Sequence, residues 1–378
     1  DGEARSVTAK HDPSTARDLS GGWFDAGDTN KYVNNAGQTL HQLLAAYRER
    51  PWIWTDDLNI PESGNGRPDL IDEIVWELDW LKRMQQPDGG VLVKVGNIDW
   101  SRTSPPGRDA RPRYYAPVCS SSTITTAGVF AHAAVVLRGI TGLEDYASDL
   151  LARAERAWLW YHANPKRDDC DTREVKSGDA DLPLKDQFAE EVVAAVYFYA
   201  ATGEQQYATF VDKKHRRLRP YRDIGGSRYA PHPGEALLYY TTLPGIDENL
   251  KQSILEKKKD EVYSAKSRAT YYSGLEMDLY RSHIADSAYH WGSNKVRANY
   301  GNSNIDLLTY DLAAGIEKRV KARALGLLHY LHGVNPMGLV YLSNMSDYGA
   351  ERSLTEIFHY WFDRGSPWHS TKNSPFGP

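Results

Sequence analysis

The strongest constraint on the fold is a change in character from helix to helix along the chain. The run TTAGVFAHAAVVL, within residues 121–140, is small and apolar on nearly every side, which suits a helix enclosed by other helices. Its neighbours read differently. Between Arg67 and Met84 the residues Leu70, Ile71, Ile74, Val75, Leu78, Leu81 and Met84 recur at three- and four-residue steps among Asp72, Glu73, Glu77 and Lys82, which predicts one apolar stripe and one wet face. Residues 143–161 repeat that amphipathic pattern, and 190–203 return to the enclosed kind, with Gly203 as the C-terminal cap. Further on, 248–262 are charged and solvent-facing, 304–316 are mostly apolar, and 318–332 carry Leu325, Leu328 and Leu331 beside basic residues. Enclosed and amphipathic helices in alternation, with no βαβ pattern, predict an all-α fold with an inner and an outer ring of helices, an α/α barrel. An irregular α-solenoid fits the same alternation, but no repeat of about 20–50 residues is present.

Composition narrows the partners. The chain has 378 residues, enough for one large domain or two small ones, and no Pro/Ser/Gly-rich linker divides it. Its net charge is -5 and its lysines and arginines are scattered, so neither a nucleic acid nor an anionic membrane is an expected partner. The aromatic content is skewed to 24 tyrosines and 11 tryptophans against 8 phenylalanines; rings with an apolar face and a polar tip suit sugars, and equally suit half-buried core positions. The two cysteines, Cys119 and Cys170, lie in no CxxC or Cys/His spacing, and a disulfide framework is excluded on this reading. The run AGVFAHAAVVL is shorter than the ~20 residues that span a bilayer. A soluble, cytoplasmic protein is the expectation, with a periplasmic or secreted one kept open because the chain starts at Asp1; the oligomeric state is not legible.

Two aspartates stand out in SGGWFDAGDTNKYV, residues 20–33. Asp25 and Asp28 precede a predicted helix over 36–50, where aspartates ordinarily cap the helix or favour its positive end. Two nearby carboxylates can also share one water, one orienting it and the other taking its proton. The long stretches 86–118 and 162–187, rich in charge, Pro and Tyr, are candidate walls of a groove.

GGWFDAGDTNKYV resembles the DAGD segment of glycoside hydrolase family 9, inverting β-glucanases with an (α/α)6 barrel, and NIPESGNGRPDLIDEIVWELDWLKRMQQPDGGV (59–91) resembles that family's next stretch. Weaker resemblances run through 113–131, 189–207, 290–299 and 329–342, so that residues 1–378 are expected to form one family 9-like catalytic barrel. The resemblance implies Asp28 as general base and Asp25 as the carboxylate that helps hold the attacking water. It also implies a general acid, a glutamate beyond a VGGP-like segment that this sequence does not contain; the expectation is a fragment without its upstream part and acid-bearing tail. Glu351 and Glu356 are the in-chain candidates for that acid. Tyr115 and Trp291, within the resembling segments, are expected to bind substrate.

Specificity departs from the typical endoglucanases. Their His-His-Arg triplet is missing, and AERSLTEIFHYWFDRGSPWHS (350–370) resembles instead a bacterial endoglucanase-related branch that includes exo-β-D-glucosaminidases. In that reading His359 and Trp361 replace the lost contacts, and Glu351, Glu356 or Asp363 holds an amino-sugar cation. The expected function is therefore an inverting β-1,4-glycosidase, exo-acting on glucosamine (chitosan) or other short oligosaccharides. The alternatives are an endo-β-1,4-glucanase (cellulase) and a non-catalytic carbohydrate-binding protein. No cofactor is expected. Calcium is not favoured, since the family's Asp-Glu position reads Ala189-Glu190 here, and His329 and His332, one turn apart, lack a third metal ligand.

Overall fold

The computed structural model describes residues 2–25, 29–99, 109–176, 178, 180–218, 229–263, 271, 278–290, 292–343 and 345–354. Asp1–Val211 make up the first compact unit and Asp212–Phe358 the bulk of the second.

The first unit carries α1 (Val33–Glu49), α2 (Asp69–Met84), α3 (Ser120–Leu137), α4 (Glu144–Ala163), α5 (Leu184–Thr202) and most of α6 (Gln205–Lys214). Helix α3 is the centre, with α1, α4 and α5 packed against it. Every residue of α3 except Val135 is buried. By length and composition α3 could cross a bilayer, yet its surface is covered by protein. Two of its buried hydroxyls bond backbone carbonyls: Ser122 Oγ donates to Val91 O at 2.7 Å and Thr123 Oγ1 to Cys119 O at 2.6 Å. Helix α5 ends at Gly203 (φ 72°), as the sequence predicts.

The three inner helices α1, α3 and α5 meet in a buried column of rings. His132 stacks on Tyr197 at 3.8 Å between centroids, and His41 lies 5.2 Å from His132. Arg48 Nη1 donates to His132 Nε2 at 2.9 Å, so the His132 proton sits on Nδ1 and is given to His41 Nδ1 at 3.0 Å.

A small sheet departs from the all-helical expectation for the N-terminal third. Its strands are β1 (Glu3–Ser6), β2 (Arg17–Asp18), β3 (Lys31–Tyr32), β5 (Lys94–Gly96) and β6 (Arg113–Tyr115), in the order β2-β1-β6-β5-β3. Only β1 and β6 run parallel; Ala4 pairs with Arg113 and Ser6 with Tyr115. Strands β4 (Val91–Leu92) and β7 (Val118–Cys119) form a separate ladder. The stretch 86–118 is thus partly ordered by pairing rather than being loop throughout, and β3 feeds directly into α1.

The cysteines correct a second expectation. Cys119 and Cys170, 51 residues apart, form a disulfide with their Cα atoms 5.8 Å apart. It ties the stretch after α4 to the start of α3. Closing a loop of that length stabilises the fold by about 4 kcal/mol in the chain-entropy account.

In the second unit α7 (His232–Tyr240) packs on α8 (Glu248–Tyr263), and α9 (Ser293–Thr309) on α10 (Glu317–Leu331). Helix α8 is not solvent-facing throughout: Ile254, Lys258 and Glu261 are buried on one stripe, with Lys258 Nζ 3.3 Å from Asp306 of α9. The helix expected over 304–316 stops at Thr309, where Asp311 (φ 55°) and Gly315 (φ 80°) turn the chain and Leu307, Leu312 and Ile316 still pack around Tyr271.

Candidate active site

The segment that carries the paired aspartates is held on both sides. On the N-terminal side it lies over one face of α2. Gly22 takes a left-handed conformation (φ 73°) directly against Trp80, where a Cβ would sit 2.6 Å from the indole. Trp23 N donates to Glu77 Oε2 at 2.6 Å, and its indole Nε1 to Glu73 Oε1 at 2.5 Å. Arg83 Nη1 reaches Ser20 O at 2.9 Å. Residues 73, 77, 80 and 83 recur at helical spacing, so a single face of α2 grips the loop. From the other direction Lys31 Nζ, itself buried, donates to Gly21 O and Leu19 O.

Asp25 is exposed, and its carboxylate is aimed by Asn35 in the first turn of α1, whose Nδ2 donates to Oδ1 at 2.8 Å. Asp25 N also donates to Asn30 O at 2.8 Å. That bond joins the two flanks of the segment containing Asp28, which lies outside the described residues.

Beyond it the chain is locked. Thr29, buried and β-branched, takes φ 59°, a conformation that costs about 1–3 kcal/mol and persists only where surroundings over-determine it. They do: Arg113 Nη1 donates to Thr29 Oγ1 at 2.7 Å and to Asn97 Oδ1 at 2.5 Å. Asn30 Oδ1 accepts from Asn97 N at 3.0 Å, and its Nδ2 donates to Lys176 O. Gly96 leaves room for this contact, because a Cβ there would fall 1.8 Å from Asn30 Oδ1. The arrangement therefore presents one oriented, solvent-accessible carboxylate beside a firmly held flank.

Burial shifts the two charged groups beneath the loop. It pushes the Glu77 carboxyl up from 4.5 to about 8, against the pull of the Trp23 N–H and Lys31 and with some help from Glu73. Burial likewise brings Lys31 down to about 8; Glu77 and Asp18 oppose that change, while Arg113 and Arg83 add to it. A carboxyl with a raised folded value keeps a proton that the unfolded chain releases. Its contribution to stability is complete below 4.5 and is lost as pH rises to about 8. Glu77→Gln should flatten that part of the stability profile; chemical denaturation from pH 5 to 8 checks it, and an unchanged slope would locate the titration elsewhere.

The other expected site residues are dispersed or undescribed. Tyr115 lies in β6, where its hydroxyl donates to Thr15 O at 2.8 Å. Trp291, Glu356, His359, Trp361 and Asp363 lie outside the described residues. Glu351 is exposed, as are His329 and His332 at the end of α10. The sequence reading missed Glu77 and Lys31, since a glutamate and a lysine in such contexts look like solvated charges.

One carboxylate cluster was also missed. Asp56, Asp69 and Asp72 bring ligand oxygens within 4.8 Å of one another, an all-oxygen set that could hold a hard cation. Protein donors already serve most of these oxygens. Gly64 N and Gly66 N bond Asp56, Leu58 N and Ser63 Oγ bond Asp69 Oδ2, and Arg67 and Asn65 bond Asp72; the buried Asp69 Oδ1 has no hydrogen bond among the described residues.

The predominance of helix puts the chain in the all-α class, and its fold is that of the (α/α)6 barrels, shared with a solved metagenome-derived glycoside hydrolase family 9 endoglucanase (TM-score 0.77, 28% identity, 93% of this chain and 62% of that one). The sequence profile of glycosyl hydrolase family 9 matches residues 2–377. The chain belongs to that family. Curated relatives include Endoglucanase C of Cellulomonas fimi, 29% identical over 370 residues (93% of this chain, 32% of that protein). Another is a cellulose 1,4-beta-cellobiosidase of Acetivibrio thermocellus, 28% identical over 320 residues (75% and 35%). The chain thus spans about a third of the length of these two curated relatives.

Proposed function

We propose that this chain carries the water-activating carboxylates of an inverting β-1,4-glycosidase whose substrate is a β-1,4-glucan cleaved internally. The observation that carries the reading is the exposed Asp25 carboxylate, aimed by Asn35 at the head of α1 on the segment that also bears Asp28. In this mechanism Asp25 orients a water and Asp28 takes its proton as the oxygen attacks the anomeric carbon. A general acid roughly 6.5–9.5 Å from the base protonates the leaving oxygen. That acid is not assigned to any described residue.

Substrate choice rests on the relatives. Those reported above are named for endoglucanase and cellobiosidase activity, which favours the endoglucanase alternative over the glucosaminidase reading of the 350–370 loop. Cellulosic and chitosan oligomers of equal length separate the two. A higher kcat/KM on cellotetraose, with a rapid fall in viscosity of soluble cellulose, is expected from the natural full-length protein. Preferential release of glucosamine would favour the loop reading, and binding without turnover of either sugar the non-catalytic one. The Cys119–Cys170 bridge supports an oxidising compartment over the cytoplasm, because such bridges seldom persist in reducing cytosol.

A further inference from the structure

The aspartate loop is gripped by two buried groups that take no part in the proposed chemistry. Glu77 is fully buried in α2, and Lys31 is 1% exposed at the end of the loop. Neither position follows from packing alone, since a buried polar or charged group is costly unless it is bonded. What each bonds is the backbone of the loop. Glu77 Oε2 accepts the Trp23 N–H at 2.6 Å, two residues before Asp25, and Lys31 Nζ donates to the carbonyls of Leu19 and Gly21. The Lys31 ammonium also lies 5.5 Å from the Phe24 ring centroid and 6.0 Å from that of Trp80, so its position is set from several sides. Among the described residues Glu77 Oε1 has no hydrogen-bond partner, and the bond that Oε2 accepts from Trp23 N ties the carboxyl to the loop. Glu73, a turn earlier on α2, holds the same tryptophan by its indole.

We propose that Glu77 and Lys31 are positioning residues, which clamp the Leu19–Asp25 backbone from below and so fix where the Asp25 carboxylate meets the substrate. The inference rests on the assignment of Asp25 and Asp28 to water activation. The clamp acts on main-chain atoms, so it sets geometry without touching the sugar. Its loss therefore slows the reaction of bound substrate more than it weakens binding, and a displacement of about 1 Å at reacting groups costs about 10²-fold.

The experiment compares Glu77→Ala, Glu77→Gln and Asp28→Asn in the natural full-length protein, with kcat measured per folded molecule and cellotetraose affinity measured by calorimetry. The expected result for Glu77→Ala is a fall in kcat of about 10²-fold with affinity retained. Glu77→Gln, which keeps an oxygen for the Trp23 N–H, should recover most of that loss; a merely structural role would move melting temperature without this split or rescue. Should Glu77→Ala not fold, Lys31→Met asks the same question, since it keeps the stem against Trp80 and removes only the donor. Wild-type kcat in folded Glu77→Ala, or in Lys31→Met, beside an inactive Asp28→Asn overturns the clamp and leaves the aspartate assignment standing. A fully active Asp28→Asn overturns both.

Discussion

Asp28→Asn should abolish hydrolysis of β-1,4-glucan while leaving binding and fold in place. An amide cannot accept the proton of the attacking water, and loss of general-base assistance typically costs 10²–10⁴-fold in rate. Binding is spared because the substitution is nearly isosteric and the supports of the loop, Glu77, Lys31, Arg113 and Asn97, are untouched. Asp25→Asn should also be severe, through a different route. Its amide can still accept from Asn35 Nδ2 through the remaining oxygen, so geometry survives while the charge that orients the water is gone. Steady-state kinetics on cellotetraose, with calorimetric binding on the same variants, checks both. Asp28→Asn retaining more than about a tenth of the wild-type rate would remove Asp28 from the role of base.

Gly96→Ala is expected to damage the site from the opposite side. The new methyl would fall 1.8 Å from Asn30 Oδ1 and 2.4 Å from Asn30 Cγ, too close for any contact, so Asn30 must move. Asn30 cannot move alone, because it holds Asn97 N and Lys176 O and its carbonyl accepts from Asp25 N. Overpacking of this kind costs about 1–3 kcal/mol in stability. The larger effect should be on rate, about 10²-fold, since the displaced residue borders the aspartate segment. Thermal denaturation and kcat on the same preparation separate the two. A variant with wild-type kcat would mean that the segment tolerates displacement at Asn30, against the rigid support inferred from the strained Thr29.

What the sequence determined by itself was local. The stripe from Leu70 to Met84 becomes α2, the all-round apolar run becomes the buried α3, and Gly203 ends α5, because helical period and caps are written in residues three to four apart. Asp25 and Asp28 became candidates through resemblance, since their segment keeps a recognisable run of neighbours. Where a local signal pointed the wrong way, packing overrode it. Residues 310–316 are apolar enough for a helix, yet the chain turns after Thr309 and still buries its apolar side chains around Tyr271.

Tertiary structure alone decided the pairings. Strands of two to four residues such as β2, β3 and β6 are too short to show a period of two, and β1 finds β6 more than 100 residues away. The Cys119–Cys170 bridge, the meeting of Asp56 with Asp69 and Asp72, and the clamp of Glu77 and Lys31 on the aspartate loop have the same origin. In each, the partners are chosen by distance in the folded chain. A glutamate at position 77 reads as part of the wet face of an amphipathic helix until the loop at 19–25 covers it, removes its water and leaves the Trp23 N–H as its hydrogen-bond partner.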